Sequence, residues 1–334
     1  MSMPKIKKLK SGIFFMNPMV NGVRYSISRL TAKECKEEYF KLKAQGGVNK
    51  GFVSVANLTV GEVVDSYIET RTNVLSPSTI AGYKRIRRNH FQDVMSKKVK
   101  SIRDWQRIVN QAAETTGAKT LTNAWGLIHA SLEAAGVDVG KVSLAKPVKK
   151  DAHFFEPEQI LVFLDAIKGH RAELAWILSL HGLRFSETRA LTKISIHDEN
   201  IYVRGARVRD ENNNLVYKES NKTEDSKREV PVLIPRLYEL LKAADADKYL
   251  VELDESQTRK DLIKICRDNG LPVLRIHDLR HTFASLCYHF QIPEMQAAKW
   301  GGWSDLKTMH EIYTHLAKAD EEKAARKLKA FFAS

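Results

Sequence analysis

The sequence predicts a multidomain α+β protein: a small β-sheet-plus-helix N-terminal domain, an all-helical second domain, and a mainly helical third domain with a small antiparallel sheet. Its length of 334 residues exceeds one typical domain, and its hydrophobic share of 43% is enough for two or more cores. Strand-like segments occur near the N-terminus and between residues 194 and 233, whereas apolar residues elsewhere recur at helical spacing.

The N-terminal segment combines two short strand-like runs with a large excess of basic residues. Residues 12–16 and 23–27 flank Asn21-Gly22, a dipeptide that accepts the positive φ angles of a tight hairpin, and a helix over about 31–45 should follow. Residues 1–50 hold 11 Lys and Arg against 3 acidic residues, in a chain of net charge +14, which indicates a polyanionic partner. A disordered basic arm is the alternative. The basic residues at its start are Lys5, Lys7, Lys8 and Lys10.

The middle of the chain shows start signals and spacing that are typical of helices. Thr59 and Glu62 form a capping-box pattern before an apolar stripe, and Pro77 opens the next helix after Ser76. That helix alternates apolar with basic side chains, so one face can be buried while the other meets phosphates or solvent. Its basic residues are Lys84, Arg85, Arg87 and Arg88.

The C-terminal half begins with helices and continues with strands. A helix over about 171–181 should end at Gly182, because a glycine there suits a left-handed cap. Ser186 can then cap the following helix, which would fix Arg184 at an elbow between two helices. Alternating apolar residues from 194 to 233 predict a small antiparallel sheet, with Lys222 in or beside its last turn.

Six side chains in this half form a set suited to a phosphate diester. Two arginines can grip the non-bridging oxygens, while a lysine can protonate a leaving alkoxide. A histidine can accept the proton of an attacking tyrosine, and an indole N–H can add a donor, so no metal is needed. Each residue alone has an ordinary structural explanation, and only the ordered set is specific. The six are Arg184, Lys222, His277, Arg280, Trp303 and Tyr313.

The segments around these residues resemble the tyrosine recombinases of phages and conjugative elements. The family's site contains an arginine in a G-L-R-x-S-E context, a turn lysine, H-x-x-R, and a tyrosine in a Y-x-H-like context. Trp303 departs from the commoner pattern, since most members have His at that position and some have Trp. The matching segments are 182–187 (GLRFSE), 222–223 (KT), 277–280 (HDLR) and 312–315 (IYTH).

The resemblance implies three functional domains. Residues 1–50 would form an arm-type DNA-binding domain, 56–147 a helical core-binding (SAM-like) domain, and 152–334 the catalytic domain. The residues expected to contact DNA are Lys5, Lys7, Lys8, Lys10, Arg24, Lys84, Arg85, Arg87 and Arg88.

The resemblance also implies a reaction that needs no cofactor. Tyr313 would attack the scissile phosphate to give a 3′-phosphotyrosine, and a 5′-hydroxyl from a partner duplex would reverse the attack. Arg184 and Arg280 would stabilise the transition state, and Lys222 would act as general acid. His277 would accept or orient the tyrosine proton, and Trp303 would hydrogen-bond a phosphate oxygen. The expected function is the integration and excision of a phage or other mobile element.

The implied partners are double-stranded DNA with core and arm attachment sites, further copies of the chain in a homotetramer on synapsed DNA, a host bending factor and an excisionase. Cys35, Cys266 and Cys287 are too widely spaced to support a disulfide framework or zinc site, and no apolar run suits a membrane span, so we expect a cytoplasmic protein of a bacterial host. Two alternatives remain. A chromosome-dimer-type recombinase usually lacks the basic first domain, and a non-catalytic DNA-binding regulator would not need every catalytic position filled.

Overall fold

The structure is a computed structural model that describes residues 4–8, 12, 14–20, 23–29, 31–44, 55–148, 153–219, 227–303 and 306–333. Contacts divide the chain into two compact units, one formed by residues 1–71 and 83–147 and the other by 72–82 and 148–334. Both helices and small antiparallel sheets are present, which confirms the α+β class that the sequence predicts.

The N-terminal part of the first unit is a small sheet covered by one helix. Side chains of the sheet and the helix share one core, in which Met16, Ile27 and Cys35 are almost fully buried. The elements are β1 (Lys7–Lys8), β2 (Phe14–Met16), β3 (Met19–Val20), β4 (Val23–Arg24), β5 (Ile27–Arg29) and α1 (Ala32–Ala44). The sheet order is β1-β2-β5, and β3 pairs with β4.

The two strands predicted at 12–16 and 23–27 are present with different bounds and partners. Met16 pairs with Ile27, whereas Val20 pairs with Val23 in the separate β3–β4 ladder. Pro18 explains the interruption, because proline has no N–H to donate and its carbonyl instead accepts the Tyr25 N–H at 2.8 Å. The Asn21-Gly22 turn lies outside the described residues.

Residues 55–134 are helical, as predicted. The elements of this region are α2 (Val60–Glu69), α3 (Pro77–Asn89), α4 (Gln92–Met95), α5 (Trp105–Ala113) and α6 (Ala118–Ala134). The capping box at the start of α2 is present, since the Thr59 N–H donates to the Glu62 carboxylate at 2.7 Å and the Glu62 N–H donates to the Thr59 hydroxyl at 3.2 Å. Trp105 and Trp125 are buried with ring centroids 5.7 Å apart, which anchors α5 to α6.

The second unit surrounds a buried helix, α8, with helices and two small β-structures. Its elements are α7 (Pro157–Ala166), α8 (Glu173–Leu180), α9 (Phe185–Thr188), β6 (Ile196–His197), β7 (Asn200–Val203), β8 (Gly205–Arg209), β9 (Leu215–Glu219), β10 (Arg228–Pro231), α10 (Arg236–Lys242), α11 (Glu255–Asp268), α12 (Ile276–His289), α13 (Glu294–Gly301) and α14 (Lys307–Ala333). The aromatic side chains of Phe155, Phe163 and Trp176 are fully buried in its core.

The strands of the second unit form two structures instead of the single predicted sheet. The three-stranded sheet has the order β10-β7-β6, and β8 and β9 form a separate hairpin. The sequence predicts strands at residues 201–203, 215–217 and 228–232 but not at β8, because Arg207 and Arg209 give this segment the polar appearance of a loop. In the structure the Arg207 guanidinium lies 3.9 Å from the centroid of the Tyr249 ring, so this charged side chain packs instead of projecting into solvent.

Arg87 in α3 is held by a partner within the first unit. Its Nε and Nη2 donate to the two carboxylate oxygens of Asp65 at 2.9 and 3.0 Å, and its guanidinium leaves no room for a side chain on Gly61. The neighbouring Arg85 and Arg88 are exposed. Among the basic residues of α3, Arg87 therefore has a clear structural role.

We expect Arg87→Ala to lower the free energy of unfolding by about 1 kcal/mol, because it removes a bidentate, half-buried ion pair. Arg88→Ala is the matched control and should change stability by less than about 0.5 kcal/mol. Urea denaturation of both variants measures the difference. Equal stability of the two would contradict the structural role of Arg87.

Candidate functional site

Arg184 lies at the elbow between α8 and α9, and a glycine makes this elbow possible. Gly182 has φ +83°, and a Cβ at this position would lie 2.7 Å from a ring carbon of Phe283. The predicted Ser186 cap is wrong, because the Arg184 N–H donates to a carboxylate oxygen of Glu187 at 2.8 Å. Glu187 thus caps α9 from within its first turn.

The side chain of Arg184 bridges two parts of the second unit. Its Nη1 donates to Glu187 Oε1 at 2.7 Å, and its Nη2 donates to the Gly302 carbonyl at 2.8 Å. The side chain remains 44% exposed, so it can still meet a ligand. Arg184 therefore combines a fixed position with access from solvent.

Glu187 is the acidic centre of this arrangement. Its buried carboxylate also accepts hydrogen bonds from Arg228 at 2.7 and 3.3 Å. Burial opposes ionisation, but Arg228 and then Arg184 and Arg280 outweigh it and lower the pKa of Glu187 to about 2. The carboxylate is thus ionised throughout the physiological range.

Arg280 on α12 is almost completely buried, with a relative exposure of 1%. Its Nη1 donates to the carbonyls of Gly182 and Gly301, whereas its Nε and Nη2 have no hydrogen-bond partner in the described part of the chain. Burial and then the repulsion of Arg184 lower the pKa of Arg280. Unsatisfied buried donors beside a second guanidinium are the features of an oxyanion site.

Trp303 packs directly on this arginine. The Arg280 guanidinium carbon lies 3.9 Å from the Trp303 ring centroid, and the indole stacks on Phe283 with an interplanar angle of 13°. The ring also covers the backbone of Gly301, where any Cβ would overlap it. Trp303 can therefore adopt this position only because residue 301 has no side chain.

His277 lies in the first turn of α12 and is exposed. Its ring meets the His281 ring edge to face, with centroids 4.8 Å apart. Partial desolvation by neighbouring atoms and then the Arg280 charge lower the pKa of His277. Burial and then His277 lower the pKa of His281 to about 4. His277 is thus neutral at neutral pH and able to accept a proton.

Tyr313 on α14 belongs to the same apolar cluster as Phe283 and Trp303, but its hydroxyl is engaged elsewhere. It donates to the Ile292 carbonyl at 3.4 Å, and its ring meets Tyr288 edge to face. Burial, followed by the proximity of Cys287 and Glu294, raises the pKa of Tyr313. The hydroxyl borders a cavity of about 420 Å³ lined by Tyr288, His289, Gln291, Ile292 and Tyr313.

The structure thus brings Arg184, Arg280 and Trp303 into one site with His277 beside them, whereas the Tyr313 hydroxyl donates to the Ile292 carbonyl. Lys222 lies outside the described residues, in the connection between β9 and β10. The ends of this connection are joined by a 2.8 Å ion pair between Lys227 and Glu219.

Two contributors to the site were not given a role by the sequence reasoning. Glu187 is the last residue of the GLRFSE segment, so its place in that segment was an available signal. Arg228 is the first residue of β10 and lies on the same face of the strand as Val230, and both are buried. A charged residue on the buried face of a strand is unusual, and this alternation could have marked it.

A cavity of about 880 Å³ opens beside Trp303. Basic side chains contribute to its wall together with Trp303 and Arg228, and they are Arg204, Lys227 and Lys299. In the described ranges, no group of three His, Cys, Asp or Glu side chains could hold a metal ion. None of the described helices combines the length and apolar character needed to cross a membrane.

The side chains expected to contact DNA have different surroundings. Lys5, Lys7 and Lys8 are exposed, as are Arg85 and Arg88. Lys84 is half-buried, and Arg87 is paired with Asp65. Lys10 and the side chain of Arg24 are not among those that the structure describes.

Comparison with known proteins gives one family and several relatives. Residues 153–320 match the model of the phage integrase family. A "tyrosine recombinase XerC-like" protein of Caldanaerobacter subterraneus subsp. tengcongensis is 24% identical over 361 aligned residues, covering 92% of this chain and 91% of that protein. The ICEBs1 integrase of Bacillus subtilis is 28% identical over 87 residues, covering 25% of this chain and 24% of that protein.

Solved structures share the fold. The Tn1549 transposon integrase in complex with circular intermediate DNA superposes with a TM-score of 0.65 at 20% identity, covering 80% of this chain and 100% of that chain. The lambda integrase dimer bound to a COC′ core site gives a TM-score of 0.59 at 13% identity and covers 93% of this chain and 95% of that chain.

The low pKa of Glu187 predicts a dependence of stability on pH. The folded-state pKa of about 2 lies below the ordinary value of 4.5, so ionised Glu187 stabilises the fold above pH 4.5 and this contribution is lost as the pH falls toward 2. The stability advantage over Glu187→Gln should reach at most about 3 kcal/mol and shrink below about pH 4.5. Urea denaturation across this range measures it, and a constant difference would contradict the assignment.

The contact between Gly301 and Trp303 predicts that the effect of Gly301→Ala on stability depends on the residue at position 303. Gly301→Ala should cost about 1–3 kcal/mol of stability in the wild-type chain, because the new methyl overlaps the indole. In a Trp303→His background the same change should cost nothing or stabilise by up to about 1 kcal/mol, because alanine favours the end of α13. Equal effects in both backgrounds, measured by denaturation, would show that the indole does not need this space.

Proposed function

The chain belongs to the phage integrase family, and from this premise we propose that it is a site-specific DNA recombinase that cleaves and rejoins DNA through a 3′-phosphotyrosine. Members of this family recombine DNA, and we propose the chemical steps that this chain uses and the kind of mobile element that it moves. The observation that carries it is the buried Arg280 guanidinium, whose Nε and Nη2 have no partner in the described part of the chain while Arg184 lies beside it.

The proposed phosphate site is formed by the two arginines. A phosphate oxygen would satisfy the free N–H groups of Arg280 and offset its repulsion with Arg184. Arg184 is exposed enough to exchange one of its present acceptors for a second oxygen. Trp303, which packs on Arg280, would fix its plane and add an indole N–H donor.

Cleavage then follows by transesterification. The Tyr313 oxygen would form a bond to phosphorus while the bond from phosphorus to the 5′-oxygen breaks. Neutral His277 would accept the tyrosine proton, and Lys222 would donate a proton to the leaving 5′-oxygen. A 5′-hydroxyl of the partner duplex would later attack the phosphotyrosine and regenerate Tyr313, so the reaction conserves the number of phosphodiester bonds.

Tyr313 must first leave its present partner. Its hydroxyl donates to the Ile292 carbonyl, and its pKa is raised, so an attack requires both a new position and a proton acceptor. The hydrogen bond is long at 3.4 Å and therefore weak, which makes its release by DNA binding inexpensive.

The proposed DNA-binding role of residues 1–50 rests on their charge, and the proposed biological role of the chain rests on its relatives. Residues 1–50, with their excess of basic side chains, are proposed to bind arm sites, 56–147 to bind core sites and 152–334 to carry out the chemistry. Relatives described as integrases of a transposon and of ICEBs1 favour integration and excision of a mobile element in a bacterial cytoplasm. Such a reaction would use a homotetramer on synapsed DNA, with a host bending factor and an excisionase.

A chromosome-dimer-type recombinase remains the second candidate, because the XerC-like relative covers 92% of the chain. The two candidates differ in what residues 1–50 do. Arm binding would support the integrase, whereas recombination at one short duplex site without any arm sequence would support the alternative.

The first functional prediction concerns the nucleophile. Tyr313→Phe should form no covalent adduct with a nicked suicide substrate, and its DNA affinity should be unchanged, because only one weakly bonded oxygen is removed. Tyr288→Phe is the matched control, since its ring packs against Tyr313 and its adduct should persist. An adduct formed by Tyr313→Phe would assign the nucleophile to another residue.

The second functional prediction concerns residues 1–50. Their deletion should spare cleavage of a short core duplex, abolish recombination that depends on arm sites, and give a shallower dependence of DNA binding on salt. Replacing Lys5, Lys7 and Lys8 by Gln in the full chain separates loss of charge from loss of the domain. An unchanged salt dependence in both variants would exclude DNA as the partner of this region.

A further inference from the structure

Arg228, the first residue of β10, is buried, and each of its three guanidinium nitrogens donates a hydrogen bond. Only 2% of its side chain is exposed. Its Nη2 and Nη1 donate to the two carboxylate oxygens of Glu187, and its Nε donates to the Trp300 carbonyl at 2.7 Å. The backbone of Gly302 lies against the guanidinium, where a Cβ would be 2.7 Å from Nη1.

These contacts connect Arg228 to the residues that hold Arg184. Glu187 receives the Nη1 of Arg184, and the Gly302 carbonyl receives its Nη2. Glu187 is thus hydrogen-bonded to Arg228, and Gly302, whose carbonyl is the other acceptor of Arg184, lies against the Arg228 guanidinium. Removal of Arg228 would take away one support of each acceptor.

The same backbone segment supports the other half of the site. The Gly301 carbonyl accepts from Arg280, and residue 302 leads directly to Trp303. Arg228 also begins β10, the strand that follows the connection containing Lys222. Arg228 therefore contacts Glu187 and the residues on both sides of Gly301, whose carbonyl receives Arg280.

We propose that Arg228 is a positioning residue for strand cleavage, which sets the location of Arg184 by holding Glu187 and the backbone of residues 300–302. The inference rests on the proposed function, because it assigns Arg184 to the scissile phosphate. Arg228 itself is buried and touches no substrate; it acts through its neighbours.

A purely stabilising role is the alternative. Replacement of a whole buried ion pair by apolar residues is often neutral, although removal of one partner alone is destabilising. Stability alone is therefore a poor reason for a buried arginine at this position. The pair of Arg236 with the buried Glu173 provides a comparison in the same unit, because it is an arginine–glutamate contact of 2.7 Å with no described contact to Arg184, Arg280 or Trp303.

The test measures single-turnover cleavage of a suicide substrate at saturating protein, with DNA affinity and unfolding measured separately. The variants are Arg228→Met, Arg228→Lys, Glu187→Gln and the double variant Arg228→Met/Glu187→Gln, with Arg236→Met as the control. Arg228→Met should slow cleavage about a hundredfold at unchanged DNA affinity, because small displacements of a catalytic group have effects of this size. The double variant should be little slower than either single variant, because both changes act through one carboxylate.

A pH profile separates positioning from stability. Without Arg228, the buried Glu187 loses the charge that lowers its pKa most, and this pKa should rise from about 2. The rate of Arg228→Met relative to wild type should then fall as the pH is lowered, while the ratio for Arg236→Met stays flat. Titration of His277 is common to all the chains and cancels in these ratios. Arg228→Lys keeps a charge near Glu187, so its rate should be intermediate and its ratio flat.

Each outcome decides the inference. Cleavage by Arg228→Met at the wild-type rate, or a loss that matches Arg236→Met at every pH, would overturn it. If Arg228→Met does not fold, Arg228→Lys decides, because a folded lysine variant with a wild-type rate is equally contrary. Absence of an adduct with the wild-type chain would instead overturn the proposed function and leave the Arg228 contacts without a catalytic meaning.

Discussion

The buried carboxylate of Glu187 binds two arginines, and the arrangement of the candidate site in the second unit depends on this contact. Arg184 and Arg228 approach this carboxylate from different segments, the α8–α9 elbow and β10, and Arg228 could not be buried to its present extent without it. Their charges also keep Glu187 ionised against the cost of burial. The position of Arg184 therefore depends on an ion pair that involves no substrate.

Close backbone approach is the second constraint. Three glycines lie where any side chain would collide: Gly182 against Phe283, Gly301 against Trp303, and Gly302 against Arg228. Gly182 and Gly302 also adopt positive φ. Each of these glycines offers a carbonyl to Arg184 or Arg280. The arginines are thus held partly by main-chain oxygens and, for Arg184, partly by the Glu187 carboxylate.

The sequence predicted the features that depend on local patterns. Capping at Thr59, the start of α3 at Pro77 and the left-handed Gly182 follow from short-range physics and are present. The features it missed depend on contacts distant in sequence. The β2–β5 register depends on an interruption at Pro18, and β8 is stabilised where Arg207 packs on Tyr249. The alternation of β10 could have marked Arg228 as buried, but its contacts with Glu187 and Trp300 arise only when β10 meets α9 and α13.

The hydrogen bond from Tyr313 to the Ile292 carbonyl has a kinetic consequence. With Tyr313 as nucleophile, the observed cleavage rate is the intrinsic rate multiplied by the fraction of molecules in which the tyrosine has been released. Such a fraction can be raised only by a ligand that binds the released state more tightly than the held state. Free protein would then cleave stray phosphodiesters more slowly than DNA-bound protein cleaves its substrate, and correct DNA would act as its own activator by shifting this equilibrium.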